Sequence, residues 1–87
     1  GAPVQDPAAR LAELLAHRST RATAIAAELA DGPATAAMLA QRIYTETPAT
    51  LMPAAERNVL AHLIEMVEQK TARPQGVLAA TAMFEAR

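Results

Sequence analysis

Only two aromatic side chains, Tyr44 and Phe84, occur in this chain of 87 residues, although 52% of it is hydrophobic. A core built from such material consists of Leu, Ile, Val, Met and above all Ala, whose backbone preference is helical. A β-sandwich, which relies on β-branched and aromatic residues along many strands, is not expected. The length allows one domain, and folding buries only roughly 60–65% of the surface that the unfolded chain exposes. No cysteine is present, so disulfides, thiolate nucleophiles and Cys-based zinc sites are excluded. Eight basic against nine acidic residues leave a formal charge of −1. That balance does not supply the positive field that phosphate backbones require, and nucleic acid is not an expected partner. No apolar run approaches the ~18 residues of a membrane-spanning helix, and the amino terminus lacks the basic and apolar regions of a signal peptide. A cytoplasmic protein with no membrane partner is expected. The chain opens at Gly1 rather than at a methionine and carries little clustered polar chemistry, so a piece of a longer protein is expected.

Residues 1–6 hold Pro3, lack periodicity and read as a linker. Asp6 and Pro7 form a helix-start signal, with Asp6 able to cap and Pro7 suited to the first helical position. The helix they open has Leu11, Leu14, Leu15, the Arg18 stem, Ala22, Ile25, Ala26 and Leu29 at spacings of three and four, which predicts one buried stripe. Asp31-Gly32-Pro33 ends it. Thr35 is placed to cap a second helix reaching about Tyr44, with Met38, Leu39, Ile43 and Tyr44 inward. Residues 45–50 read as a turn, or a loop with a short helical start. Pro53 begins a third helix carrying Val59, Leu60, Leu63, Ile64, Met66 and Val67, which fades at Gln69-Lys70. Arg73-Pro74-Gln75-Gly76 is a turn signal. The apolar run from Val77 to Phe84 suits either a strand or a fourth helix: Val, Thr and Phe favour strand, the alanines favour helix, and the balance leans to strand. The expected fold class is therefore mainly α, a three-helix winged helix-turn-helix-like domain over residues 7–87 with a short C-terminal β-wing. A plain helical bundle is the alternative.

Several pieces, taken in order, carry a resemblance. They are Gly1-Ala2-Pro3-Val4 with Asp6-Pro7, Ala16-His17-Arg18 with Arg21, Leu29-Ala30 with Gly32-Pro33-Ala34-Thr35, Leu39 with Ile43-Tyr44, Leu51-Met52-Pro53-Ala54-Ala55, and Val59-Leu60-Ala61-His62-Leu63. On these, the chain resembles the small winged-helix domain that follows the catalytic core in a branch of metallo-β-lactamase-fold hydrolases, the branch that includes the mitochondrial endoribonuclease of that fold. The resemblance covers roughly residues 1–68. It implies that the chemistry lies upstream of Gly1, in a core whose His-x-His-x-Asp-His motif and further ligands hold one or two metal ions, zinc or another divalent metal. It also implies that residues 1–6 are a linker from that core, directly after a Gly-His-Gly whose histidine is the last ligand. Zinc in such a site brings a bound water to a pKa of about 7. This chain departs from the family at Ala22, where an acidic residue usually follows the arginine, at Gln69-Lys70, where a glycine is usual, and at Phe84, where a tryptophan is common.

His17 and His62 are the only candidates for metal or acid–base chemistry, and neither has a second ligand at helical spacing: Glu13 and Arg21 flank the first, Asn58 and Met66 the second. Neither a catalytic nor a metal residue is therefore assigned, and no cofactor is expected in this chain itself. The favoured role of His17 is structural or at a domain interface, and that of His62 is a hydrogen-bonded packing residue on helix three. Arg18 and Arg21, three apart on helix one, form with Arg10 the only basic strip, which suits an interface or an anionic substrate. Tyr44 is expected to bury its ring with its hydroxyl at a partner. Helix three would be the recognition helix of a DNA reader, but Glu56, Glu65 and Glu68 among its outward residues oppose phosphates. His17, Arg18, Arg21, Tyr44 and His62 are thus candidates for an interface or substrate-facing surface. The function expected is that of a non-catalytic C-terminal accessory domain, packed on the hydrolase core of the same chain to shape its cleft or a subunit interface, with a homo-oligomer as a further partner. The alternatives are a DNA-binding winged-helix regulator and a small helical docking or dimerisation module.

Overall fold

The computed structural model describes the backbone of residues 7–87 and the side chains of residues 17–87. The linker at 1–6, the Asp6 cap and the side chains of Arg10, Leu11, Leu14 and Leu15 lie outside the described residues. Within them the order is helix α1 (Pro7–Asp31), strand β1 (Ala34–Thr35), helix α2 (Ala36–Ile43), a 3-10 turn (Ala49–Leu51), helix α3 (Met52–Glu68), strand β2 (Ala72–Pro74) and strand β3 (Met83–Ala86). The strands form one antiparallel sheet in the order β1-β3-β2. Three helices with a small sheet of this order make a winged helix, as expected from the sequence.

The punctuation of the chain acts through backbone geometry. Gly32 takes φ +152° and its N–H donates to the Leu29 carbonyl at 3.2 Å, which stops α1 where a side chain would be strained. Two residues on, Thr35 has the extended φ and ψ of −85° and 164° that a helix cap requires, and its hydroxyl accepts from the Met38 N–H at 3.1 Å. The same extended conformation lets Thr35 pair with Met83 in the sheet, beside Ala34 opposite Phe84. The cap of α2 is thus also the last residue of β1, a strand that the sequence reading did not contain.

The end of α3 shows the opposite solution. The Lys70 N–H donates to the Val67 carbonyl at 3.1 Å and the Thr71 N–H to the Met66 carbonyl at 2.8 Å, the paired bonds of a Schellman motif. Its left-handed position is Lys70, with φ +63°, rather than a glycine.

Four expectations are corrected. Arg73 and Pro74 belong to β2, and only Gln75-Gly76 lies in the turn; Pro74 sits on an edge strand, where its missing N–H breaks no ladder. The run 77–84 is neither one strand nor a helix: pairing of Pro74 with Phe84 makes residues 75–82 the wing loop, with Val77 86% exposed, and β3 begins at Met83. Ala26 and Arg18 are exposed rather than part of the α1 stripe, which buries Ile25 and Leu29. Ile64 is exposed because α3 turns Ala55, Val59, His62, Leu63 and Met66 inward, and residue 64 follows one step off that stripe.

The core joins the three helices and the three strands. Ile25 and Leu29 of α1, Leu39 and Ala40 of α2, and Val59 and Leu63 of α3 close around Phe84, the largest fully buried side chain. Buried alanines at 34, 36, 40, 55 and 72 let the backbones approach.

Two outcomes follow for stability. Phe84→Ala removes the largest buried side chain and is expected to cost about 3–5 kcal/mol, enough to abolish the cooperative melt followed by far-UV circular dichroism. Lys70→Gly is expected to stabilise the fold by about 0.5–1 kcal/mol by relieving the left-handed residue. In a domain of this size that raises Tm by roughly 2–8 °C; an unchanged or lower Tm would show that the position carries no strain.

Candidate functional site

Three helices meet at one open depression of about 400 Å³, lined by His17, Arg18, Arg21, Tyr44, Asn58 and His62. Helical spacing accounts for the gathering. His17 and Arg21 are four apart on α1, Asn58 and His62 are four apart on α3, and Tyr44 is the residue at which α2 ends. All five residues singled out in the sequence line this depression, and Asn58 joins them. In the sequence Asn58 is noted as an outward residue of helix three and as a non-ligand neighbour of His62; its spacing of four from His62 puts the two on one helix face, and the packing of α3 on α1 brings that face to the depression.

Arg21 fixes the floor. Its guanidinium carbon lies 4.1 Å from the centroid of the Tyr44 ring, a cation–π contact. One of its terminal nitrogens, Nη1, reaches the Ile43 carbonyl at 3.5 Å, which puts positive charge at the C-terminal end of α2. Tyr44 is half-buried, and the guanidinium covers its face.

Arg18 stands on the rim. It pairs with Glu65 of α3 at 2.7 Å, with both side chains well exposed, so the pair ties α1 to α3 without adding much stability. Glu65 itself lines an adjoining depression of about 300 Å³ with Ser19, Ala22, Met66 and Gln69, and Arg18 and His62 belong to both. Gln69 donates to the other Glu65 oxygen at 3.4 Å. Glu65 does not line the Tyr44 depression, and no other acidic residue among the described ones does.

His62 lies at the edge shared by the two depressions and is only 9% exposed. Its expected hydrogen-bond partner is not among the described residues. No buried side-chain nitrogen or oxygen among them lacks a partner, so the ring nitrogens retain contact with solvent. Burial holds the imidazole below its usual 6.5, the Arg18 charge lowers it further, and Glu65 opposes the shift. His17 is exposed at the opposite edge. Among the described residues no three His, Asp or Glu side chains are grouped so as to hold a metal ion, and no helix is long and apolar enough to cross a membrane.

The His62 shift has a consequence for stability. Above 6.5 the imidazole is neutral in the folded and unfolded chain alike. As pH falls below 6.5 the unfolded chain takes up a proton that the folded chain resists, so stability is lost until the folded pKa is passed. Melts between pH 7.5 and 5 are expected to show Tm falling, and His62→Gln to reduce that fall; an equal slope in the variant would assign the loss to other groups.

Comparison with known proteins places the fold. The chain matches the beta-lactamase associated winged helix domain over residues 35–76, from the cap of α2 to the start of the wing. No curated protein and no solved structure gives a significant match. The matched segment holds α2, α3 and β2, the parts that build the helix-turn-helix and the first side of the wing. With three helices closed by a β1-β3-β2 sheet, the chain is a winged helix, and the match over residues 35–76 supports one of the kind associated with beta-lactamase-fold proteins.

Proposed function

We propose that this winged helix is the non-catalytic accessory domain of a cytoplasmic metal-dependent hydrolase with a metallo-β-lactamase fold. The catalytic core lies upstream in the same chain, and residues 1–6 are the linker to it. The match to a beta-lactamase associated domain is the observation that carries this reading. In it, the metal belongs to the core and the domain supplies a wall of the substrate cleft. The surface for that purpose is the three-helix depression, because its polar residues add little to the fold. Arg18, His17 and Asn58 are exposed, and the core closes on Phe84 without them. A wall that presents arginines and histidines favours substrates or neighbouring segments that bring negative charge.

The full-length protein provides the test. Its upstream sequence is expected to contain His-x-His-x-Asp-His, and the purified protein to hold divalent metal. Replacing Arg18 and Arg21 together by Ala is expected to leave the metal content intact. It should raise KM about tenfold, the loss of one charged hydrogen bond, or render the linker more sensitive to limited proteolysis. Absence of the metal motif overturns the hydrolase reading. Unchanged KM, activity and protease resistance overturn the role given to this face.

A further inference from the structure

We infer that the depression between α1, α2 and α3 is an oxyanion site that receives the phosphate group of a ligand. The residues that line it are rich in donors: two guanidinium groups, two imidazoles, the Asn58 amide and the Tyr44 hydroxyl. Among the described residues, nothing acidic answers them from within. Among the described residues, the carboxylate that pairs with Arg18 is that of Glu65, which lines the adjoining depression and uses a single terminal nitrogen, Nη2. That leaves other N–H groups of Arg18 for a ligand, since guanidinium carries five in a fixed fork. Arg21 is oriented by the Tyr44 ring on one side and the Ile43 carbonyl at Nη1. Its orientation is set before a ligand arrives, which lowers the entropy lost on binding.

Geometry separates phosphate from carboxylate. The donors stand on three helices around the rim rather than side by side on one. A planar carboxylate presents two oxygens in one plane and satisfies a single guanidinium fork. A tetrahedral group presents oxygens in several directions and can accept from α1 and α3 together. The volume of about 400 Å³ leaves space for the body of an ester beyond its phosphate. The field of Arg18 is already registered at His62, whose imidazole resists protonation in part because of it. A bound anion reverses that influence and raises the tendency of His62 to protonate.

The inference rests on the accessory reading only for the source of the ligand, and its test uses this chain alone. Tyr44 is the sole tyrosine and there is no tryptophan, so intrinsic emission reports on the Arg21–Tyr44 contact. Inorganic phosphate, titrated to roughly 10 mM at constant ionic strength, is expected to change that emission saturably, to shift the amides of Arg18, Arg21 and Asn58, and to raise the His62 pKa followed by NMR. Arg21→Lys, which keeps the charge but loses the fork, is expected to weaken binding at least about fivefold. Glu65→Gln, which frees Arg18, is expected to tighten it about two- to fivefold. Arg42→Ala, which removes an arginine paired with Glu28 on another face, is expected to leave it unchanged. Absence of a saturable response, acetate bound as tightly as phosphate, or an Arg42→Ala loss equal to that of Arg21→Lys overturns the site. None of these results bears on the upstream metal motif, so the two readings fail separately.

Discussion

Phe84 on the central strand is the contact on which the rest of the fold depends. It faces Ala34 on one side and Pro74 on the other, and no part of it is exposed. Both flanking strands are short, two and three residues, and a sheet of that size has no independent stability. What holds it is the ring that β3 sends into the helical core, where Ile25, Leu39, Val59 and Leu63 are fully or almost fully buried with it. In a chain with so few aromatics one ring supplies the volume that the alanines cannot. That ring fills the centre of the core, and buried alanines on four elements bring the backbones closer to it.

The helices were legible because their signals are local. Gly32-Pro33, the Thr35 cap and Pro53 each act within one or two turns and mark helix ends within a residue of where the sequence placed them, and apolar spacings of three and four locate the described stripes apart from Arg18, Ala26 and Ile64. A C-terminal wing was expected, but β1 and the bounds of the wing strands were not legible, because the pairing is non-local. Ala34-Thr35 has no strand pattern of its own and becomes β1 only because Met83-Phe84 lies opposite. Likewise Val77 and Leu78 have the composition of a strand but no partner to pair with, and they remain exposed in the wing loop. At Gln69-Lys70 the end of α3 needs a left-handed residue, and a lysine adopts it.

The site shows the same division. His17, Arg18, Arg21, Tyr44 and His62 could each be picked out as polar or aromatic groups without a local task. Their convergence depends on how α2 and α3 pack against α1, which no spacing within one helix encodes. Asn58 and Glu65 were missed as site residues for this reason. Their importance comes from which side of His62 and Arg18 they occupy, and that is fixed by tertiary packing alone.

A nearly neutral chain can still present a positive surface if its carboxylates are committed elsewhere. Glu28 faces Arg42, Glu65 meets Arg18 from the adjoining side, and Glu85 meets Arg73 across the sheet. Each exposed pair contributes little stability, but each also fixes where negative charge resides. The donors of Arg18, Arg21, His17, His62 and Asn58 then collect between the three helices, beside the ring of Tyr44, with no acidic residue among the described ones lining that space. Net charge, which argued against broad binding of polyanions, says nothing about a pocket of this size, because the field within a few ångströms is set by the nearest groups and screened beyond about 8–10 Å. The composition of the chain and the character of its depression are therefore compatible: the first forbids an extended basic surface, and the second requires only two arginines held in place.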